Sequence, residues 1–433
     1  MNGRFVIRGR IVLLFGLLGA VAHAAEPTFP SGISWIDPAG LDQPLVICGR
    51  EPSDELRKLA LDRAARPDSK VVVLPEDCAP ILPGAMVVRG SQEARESLAA
   101  AFAKMPGQLG IAVEEGAVLV VRGRRLEVLG EGSVRFVLAK SATRPAREIT
   151  ISAGEWHDLT MLRRAAIDRA LPEFPPAKLP ESKVENGSLV IVGGGGMPKA
   201  VVEKFIELAG GPDAPIVVLP TASGDMLPPG DGAGRMFTQL GAKRVTVLKQ
   251  RTKSEVESPE FNAALAEAKG VWFGGGRHWR FIDAYAATSA ETQFHDVLRR
   301  GGVIGGSSAG ATILGQYMVR GSVLGNTDMM AEGYERGLNF LPGATIDQHF
   351  TQRKRQPDMT SVMRRFPQLL GIGIDEGTAL VVRGSAGEVL GPGRVHFYDY
   401  RSGPPAGEQD YTAIAAGERY DLAQRKAVVT PAP

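Results

Sequence analysis

The sequence is poor in cysteine, in aromatic side chains and in excess charge of either sign. Two cysteines among 433 residues argue against a cysteine-rich zinc site and against a disulfide-dense scaffold. Fifty Lys and Arg residues against 48 Asp and Glu leave a net charge of +2, and no long basic run is interleaved with aromatics. Nucleic acid is therefore not expected as a partner. A hydrophobic share of 44% is that of an ordinary globular protein, and the length allows two or three domains.

The first 24 residues have the pattern of a signal peptide. Arg4, Arg8 and Arg10 form a basic region, residues 11–21 are apolar, and Ala22-His23-Ala24 offers small residues for cleavage. An uncleaved anchor is the alternative, but the apolar stretch is short for a membrane span. The mature protein is predicted to be periplasmic or secreted, with no membrane contact beyond export. In that oxidising setting Cys48 and Cys78 form one disulfide or remain two buried thiols.

The chain contains one unit twice. Residues 109–136 align without a gap to residues 370–397, and 17 of these 28 positions are identical. The similarity extends to further pairs of segments: 45–75 with 189–220, 82–85 with 341–344, and 153–159 with 416–422.

The two copies are unequal in length. The second has about 120 residues between Val-Val-Leu-Pro-Thr-Ala-Ser and Leu-Pro-Gly-Ala that the first lacks. The predicted organisation is a truncated, non-catalytic repeat at 25–171, a linker with four prolines at 172–186, and a catalytic domain at 187–433. The truncated repeat is expected to pack beside the full unit.

Short apolar runs alternate with helical periods in the second copy. This alternation predicts an α/β fold, a parallel sheet with helices on both faces. The runs are strands at 189–192, 216–219, 245–248, 271–273 and 303–304, with a helix at 199–209.

Two glycine-rich loops follow predicted strands. The loop Gly193–Gly196 has the position of a dinucleotide-binding turn, but Pro198 stands where the third glycine should be, so a tight turn is the preferred interpretation. The loop Gly274–Gly276 could expose backbone N–H groups to an oxyanion, or be a turn only. No cofactor and no metal is expected.

A nucleophile elbow follows the last of these strands. In Gly306-Ser307-Ser308-Ala309-Gly310 an apolar strand runs into a helical pattern, and small residues flank the central Ser308. A serine on so sharp a turn needs small neighbours, and the Ala309 N–H would point at developing negative charge. Ser308 is predicted to be the nucleophile. A packing turn is the alternative.

Three of six histidines could serve as the base: His278, His349 and His396. His349 ends a short apolar run in a polar cluster, and the first copy, which lacks the serine, has Gly90 there. Glu376 is the expected third member, although Glu115 occupies the same position in the first copy. An alternative triad of Ser308, Glu376 and His396 would follow the chain order of α/β-hydrolases.

At these motifs the sequence resembles the cyanophycinase and dipeptidase E family of serine exopeptidases. The resemblance covers residues 187 to about 400 and is carried by GGSSAGA, LPGATIDQHFTQRKRQ and LGIGIDEGTALVV. It implies a flavodoxin-like, glutamine-amidotransferase-like α/β fold and a triad of Ser308, His349 and Glu376. It further implies an oxyanion hole from Gly276 and Ala309, no cofactor, and a homodimer, for which the truncated repeat could substitute as a pseudo-dimer.

The resemblance also implies a substrate-binding group, which in this chain comprises His278, Asp347, Gln348, Arg353 and Arg355. His278 stands where the family has a glutamine, and Asp358 where a further arginine is expected. From the residues themselves, Arg353 and Arg355 could hold a carboxylate, and Asp347 or Asp375 a guanidinium. A solvated helix start is the alternative for the basic stretch.

The leading hypothesis is an exported serine exopeptidase acting on aspartyl peptides, including β-aspartyl-arginine bonds of the cyanophycin type. An esterase or acyltransferase using the same triad is one alternative, and a catalytically silent peptide-binding protein is another.

Overall fold

The computed structural model describes residues 41–48, 52–64, 70–74, 79–82, 85–90, 92–224, 232–405, 407 and 409–428. The predicted signal peptide and Cys78 lie outside these residues, so export and the disulfide remain predictions. No helix within the described ranges is long and apolar enough to cross a membrane.

The N-terminal unit, as described, comprises residues 41–171. Its strands are β1 (Leu41–Cys48), β2 (Lys70–Val73), β3 (Ala79–Leu82), β4 (Ala85–Arg89), β5 (Leu109–Val113), β6 (Ala117–Gly123), β7 (Arg125–Gly130), β8 (Ser133–Leu138), β9 (Arg147–Ser152) and β10 (Trp156–Asp158). Its helices are α1 (Asp54–Ala64), α2 (Gln92–Lys104) and α3 (Leu159–Ala170).

The C-terminal unit runs from residue 184 onward. Its strands are β11 (Val184–Val192), β12 (Pro215–Leu219), β13 (Arg244–Val247), β14 (Gly270–Phe273), β15 (Val303–Ser307), β16 (Gly315–Tyr317), β17 (Leu341–Gln348), β18 (Leu370–Ile374), β19 (Ala379–Gly384), β20 (Ala386–Leu390), β21 (Arg394–Asp399), β22 (Thr412–Ala415), β23 (Arg419–Asp421) and β24 (Lys426–Val428). Its helices are α4 (Lys199–Ala209), α5 (Arg235–Gln239), α6 (Lys253–Val256), α7 (Pro259–Glu267), α8 (His278–Tyr285), α9 (Ser289–Arg299), α10 (Ala309–Thr312) and α11 (Gln356–Arg365).

The main sheet of the C-terminal unit has the order β13-β12-β14-β15-β11-β19-β20-β23-β24. Strands β13 to β11 in this order are parallel, which confirms the predicted α/β fold, and β19 then joins β11 in antiparallel fashion. The helix predicted at 199–209 is α4. It begins after Pro198 and ends at Gly210, whose φ of 109° closes the helix in the left-handed conformation.

The two faces of this sheet are covered differently. Helices α4 and α5 bury Phe205 and Phe237 against Trp272 on one face. On the other face, helices α7 to α10 cover the parallel strands, while a second sheet of order β16-β17-β18-β21-β22 covers the antiparallel end. The rings of Phe397 and Tyr420 stack between the two sheets at 3.7 Å. The prediction of helices on both faces therefore holds for the parallel part of the main sheet only.

The N-terminal unit has the corresponding strand pairs. Strand β6 lies antiparallel to β1 as β19 does to β11, and β4, β5 and β8 pair as β17, β18 and β21 do. Two pairings differ. Strand β3 is antiparallel to β4, whereas β16 is parallel to β17. Strand β2, which aligns in sequence with β12, pairs directly with β1, whereas β14 and β15 stand between β12 and β11.

The two units are in direct contact through partly buried ion pairs. Arg144 binds Glu332 at 2.9 Å and Glu335 at 2.7 Å, and Arg164 binds Asp283 at 3.0 Å. The segment 172–186 predicted as a linker is packed as well: the Phe174 ring stacks on Tyr317, and its last three residues belong to β11. The N-terminal unit thus lies beside the C-terminal unit.

Candidate active site

The predicted elbow is a sharp turn from β15 into α10. Ser308 stands between them with φ 56° and ψ −118°, a conformation that a non-glycine residue adopts only when its surroundings enforce it. A methyl group added at residue 306 would lie 2.2 Å from the Gly310 carbonyl oxygen, and one at residue 310 would lie 2.1 Å from the Phe273 carbonyl oxygen. Glycines are required here because strand, turn and neighbouring strand touch through their backbones.

Ser308, His349 and Glu376 form one chain of hydrogen-bonding contacts. Ser308 Oγ lies 2.9 Å from His349 Nε2, and His349 Nδ1 lies 2.5 Å from Glu376 Oε1. The three residues come from the ends of β15, β17 and β18, at the carboxyl edge of the parallel strands, where α/β folds gather their sites. A neutral imidazole with its proton on Nδ1 can donate to Glu376 and accept from Ser308.

The surroundings of His349 favour its neutral form. The side chain is 9% exposed, and burial is the largest influence on its pKa, followed by the opposing hydrogen bond to Glu376 and by the positive charge of Arg353. The net result is a pKa below the ordinary histidine value. A histidine that is neutral near pH 7 can accept the proton of Ser308.

The loop Gly274–Gly276 lies beside the nucleophile. A methyl group added at residue 275 would lie 3.4 Å from Ser308 Cβ. The side chain of Arg277, the residue after the loop, donates a hydrogen bond to the Ser322 carbonyl. Ala309 follows Ser308 as the first residue of α10. Ala309 is thus adjacent to the serine in the chain, whereas a methyl group added at residue 276 would meet the backbone of Ala222 and Ser223. The oxyanion hole from Gly276 and Ala309 stays a prediction.

Asp347 and Arg355 are ion-pair partners. Both are buried, and Asp347 binds two guanidinium groups, Arg355 at 2.8 Å and Arg320 at 3.0 Å. The same Arg320 binds Asp358 at 2.6 Å. Asp347, Arg320 and Arg355 thus form a buried ionic cluster, and the side chain of Asp358 at its rim is 46% exposed. Direct contact of Asp347 or Arg355 with a substrate stays a prediction.

His278 and Gln348 are buried beside that cluster. His278 Nε2 lies 3.3 Å from Gln348 Nε2, and the histidine begins helix α8. Burial lowers the pKa of His278 to about 3, and the nearby charges of Arg277 and Arg355 act in the same direction. His278 is thus a neutral side chain that is 3% exposed, and its contact with a substrate stays a prediction.

Arg353 remains the exposed cation of the predicted binding group. It follows His349 by four residues, and its positive charge acts on that imidazole. Asp375, by contrast, is engaged: Thr351 donates to it through N and Oγ1, and the Arg394 N–H donates at 3.0 Å. Asp375 therefore joins the His349 loop to β21 and is not open to a substrate guanidinium.

His396 lies away from the nucleophile. It sits in β21, buried between Phe350 and Tyr411, and its Nε2 is 3.4 Å from Asp375. The alternative triad through His396 is therefore not assembled.

The sequence did not single out Arg320. It lies after β16 with a positive φ of 59°, and nothing in its neighbourhood marks it as part of the site. The signal was indirect: Asp358 stands where an arginine is expected, and such a reversal of charge implies a cationic partner from elsewhere, here Arg320. Among the described residues, no group of three or more His, Cys, Asp and Glu side chains could hold a metal ion.

Comparison with known proteins gives a consistent result. Residues 181–390 match Peptidase family S51. Cyanophycinase from Geminocystis herdmanii is 32% identical over 204 residues, which cover 46% of this chain and 75% of that protein. Cyanophycinase from Trichormus variabilis is 31% identical over 256 residues, which cover 54% of this chain and 86% of that protein. A crystal structure of a peptidase from an acI-B1 Actinobacterium aligns with a TM-score of 0.45 and 23% identity, covering 56% of this chain and 98% of that one.

With its parallel α/β sheet and its serine at the carboxyl edge, the protein is a serine-type peptidase. More particularly, the chain belongs to peptidase family S51 and is similar to its cyanophycinases. The expected family resemblance is confirmed.

Proposed function

We propose that this protein is an exported exopeptidase that hydrolyses aspartyl peptide bonds through Ser308, His349 and Glu376. The observation that carries the proposal is the unbroken line of contacts from Ser308 Oγ through the His349 imidazole to Glu376. Three groups able to act as nucleophile, base and orienting acid are already within reach of one another.

In the proposed reaction Ser308 Oγ attacks the carbonyl carbon of the scissile amide while His349 Nε2 takes the hydroxyl proton. Glu376 holds the imidazole by its Nδ1–H and stabilises the imidazolium that forms. The C–N bond then breaks as His349 gives the proton to the leaving amine. Water, deprotonated by the same histidine, hydrolyses the acyl-enzyme and restores Ser308. The N–H groups of Gly276 and Ala309 would stabilise the oxyanion in both halves.

The substrate class rests on charge and on the relatives. Arg353 is an exposed cation four residues beyond His349, suited to a substrate carboxylate, whereas Asp347 and Asp375 are occupied by arginines and by hydroxyl and backbone donors. The similar proteins are cyanophycinases. An aspartyl residue on the acyl side of the bond therefore fits better than a recognised arginine side chain.

Export is supported by the N-terminal pattern of basic, apolar and small residues. The N-terminal sequence of the protein recovered from a periplasmic extract tests it directly. A mature chain beginning near Ala25 is expected, whereas a chain retained with Met1 would contradict export.

The test of the activity is turnover on cyanophycin, on β-aspartyl-arginine, and on a panel of α- and β-aspartyl dipeptides with free and blocked ends. A simple aryl ester serves as a probe for esterase action. Ser308→Ala should abolish peptide hydrolysis, while Ser307→Ala, a change at the adjacent serine, should leave most of it. Covalent labelling by a fluorophosphonate should follow the same pattern.

The results separate the alternatives. Hydrolysis of the ester alone would favour an esterase or acyltransferase. Binding of peptides without turnover or labelling would favour a silent binding protein. Full activity in Ser308→Ala would exclude the proposed nucleophile.

A further inference from the structure

We propose that Gly194 and Gly195 are positioning residues of the triad, forming a bare backbone surface against which His349 and Glu376 are held. The inference rests on the proposed roles of those two side chains and extends them to the loop after β11. The sequence pattern alone gave this loop no function beyond a tight turn.

Gly194 lies against the imidazole. A methyl group added to it would be 2.4 Å from His349 Cε1, 2.7 Å from Nε2 and 3.1 Å from Nδ1. Since carbon atoms in contact are normally about 3.5–4.0 Å apart, no side chain fits there unless the ring moves. The atoms affected include the nitrogen that faces Ser308 Oγ.

Gly195 lies against the carboxylate in the same way. A methyl group added to it would be 2.3 Å from the Glu376 carboxyl carbon and 2.3 Å from Oε2. The neighbouring Oε1 is the atom that accepts from His349. Two successive glycines thus touch two successive members of the triad.

The backbone of the same loop also fixes the segments that carry these side chains. The His349 N–H donates to the Gly193 carbonyl at 2.7 Å, and the Gly377 N–H donates to the Gly194 carbonyl at 2.8 Å. The loop is therefore bonded to the chain at His349 and immediately after Glu376. This arrangement limits movement of both groups away from Ser308.

The internal repeat supplies independent support from sequence. Residues 45–49 align without a gap to 189–193, and the next two positions are Arg50 and Glu51 where the second copy has Gly194 and Gly195. The first copy also has Gly90 in place of His349. Bulky side chains thus replace the two glycines in the copy that has no imidazole to accommodate.

The experiment compares Gly194→Ala and Gly195→Ala with the matched control Gly196→Ala. All three glycines have positive φ, at 90°, 69° and 140°, but a methyl group at residue 196 would meet nothing within 4 Å. All three substitutions place a side chain on a residue with positive φ and so strain the backbone. The added methyl group contacts the triad only in Gly194→Ala and Gly195→Ala. Thermal unfolding of each variant verifies folding, and Gly195→Ala carries the test if Gly194→Ala does not fold.

The first measurements are kcat and the rate of fluorophosphonate labelling. Both should fall about 100-fold in Gly194→Ala and Gly195→Ala, the scale expected of a displacement of about 1 Å, and stay near wild type in Gly196→Ala. KM should change little, because binding is not the step affected. Wild-type rates in Gly194→Ala, or equal losses in all three variants, would overturn the proposal.

The second measurement reads the imidazole directly, by ¹⁵N NMR of labelled histidine with His349 assigned from its absence in His349→Gln. In Gly195→Ala the loss of the Glu376 contact should lower the pKa of His349. Gly196→Ala should titrate as wild type does. If the wild-type enzyme neither labels nor turns over, the proposed function fails. The NMR comparison still tests the glycines in that case. An unchanged His349 signal in Gly194→Ala would refute their role.

Discussion

In the C-terminal unit strand β18 is followed by the acid pair Asp375-Glu376, and in the N-terminal unit strand β5 is followed by Glu114-Glu115. The first acid of each pair makes the same kind of contact. Asp375 lies 3.4 Å from His396 and Glu114 lies 3.4 Å from Arg135, each on the antiparallel neighbouring strand. The second acids differ in their surroundings. Glu376 binds His349, whereas the N-terminal unit has Gly90 at the position that aligns with His349. The first acid is therefore a feature of the fold, and the second is one of the proposed chemistry.

The sheets of the two units differ in a related way. In the C-terminal unit β14 and β15 stand between β12 and β11, and β15 ends at the nucleophile. In the N-terminal unit β2 pairs directly with β1. The N-terminal unit thus has no described strands at the place of β14 and β15, and its sheet of order β10-β7-β6-β1-β2 ends at β2.

The largest effect should come from removing the histidine that distinguishes the two units. His349→Ala should reduce kcat by at least about 10⁴-fold, since Ser308 would lose its base. His396→Ala is the control: it removes a histidine that corresponds to Arg135 and does not contact Ser308. Steady-state kinetics on an aspartyl dipeptide measure both. A loss in His396→Ala as large as that in His349→Ala would contradict the assignment of the triad.

The contact between the units should have the next largest effect. Glu332 binds Arg144, Arg147 and Arg169 of the N-terminal unit, and Glu332→Gln would remove the carboxylate that these three arginines share, leaving Glu335 as the partner of Arg144. The expected loss in the free energy of unfolding is about 3 kcal/mol, measured by urea denaturation. Asp213→Asn, which breaks an exposed pair with Lys243, should cost less than about 1 kcal/mol. Equal stability of both variants would mean that the units do not support each other.

A smaller effect should separate the two corresponding acids. Burial opposes ionisation of Asp375, but His396, Thr351 and the Arg394 N–H outweigh it and lower its pKa from 3.8 to about 2. This is worth about 2 kcal/mol of stability that is fully present above pH 4 and is lost as the pH falls through 2. Asp375→Asn should therefore destabilise the protein by about that amount at neutral pH. The deficit should shrink between pH 4 and 2.

The control for Asp375 is its counterpart in the other unit. Glu114 has a side chain that is 36% exposed and keeps one hydroxyl donor, Ser133. Glu114→Gln should cost less than about 1 kcal/mol. If both substitutions cost the same, the carboxylate of the C-terminal unit would have no special structural role.

Much of this comparison could be predicted from the sequence. The apolar runs located the parallel strands to within a few residues except for the extra length of β11, and the elbow motif located Ser308 on a strand-to-helix turn. Local patterns suffice for such features because strands, turns and capped helices depend on residues that are neighbours in the chain. Pairing Ser308 with His349 relied on the sequence similarity between the two units, because the N-terminal unit has neither residue at the aligned positions.

The remainder depended on contacts between distant segments. Nothing local in Asp347 indicates that it is neutralised by Arg320 and Arg355, and the sequence therefore assigned it to the substrate. The glycines at 194 and 195 likewise fit a turn until the ring of His349 and the carboxylate of Glu376 are placed beside them. Site residues were thus predictable where their chemistry alone singled them out, and not where their partners defined them.

The smallest predicted effect concerns Arg353, which has no cationic counterpart in the other unit because that unit has no such loop. Burial lowers the pKa of His349 most, and the charge of Arg353 lowers it further. Arg353→Gln should therefore raise that pKa. Because the base must be neutral, activity present above this pKa is lost below it, so the acidic limb of the kcat profile should move to higher pH. Added salt should weaken the difference by screening the charge. Lys354→Gln, a change at the next exposed cation, should leave the limb in place. An unmoved limb in Arg353→Gln, or a shift toward lower pH, would contradict the action of this charge on the base.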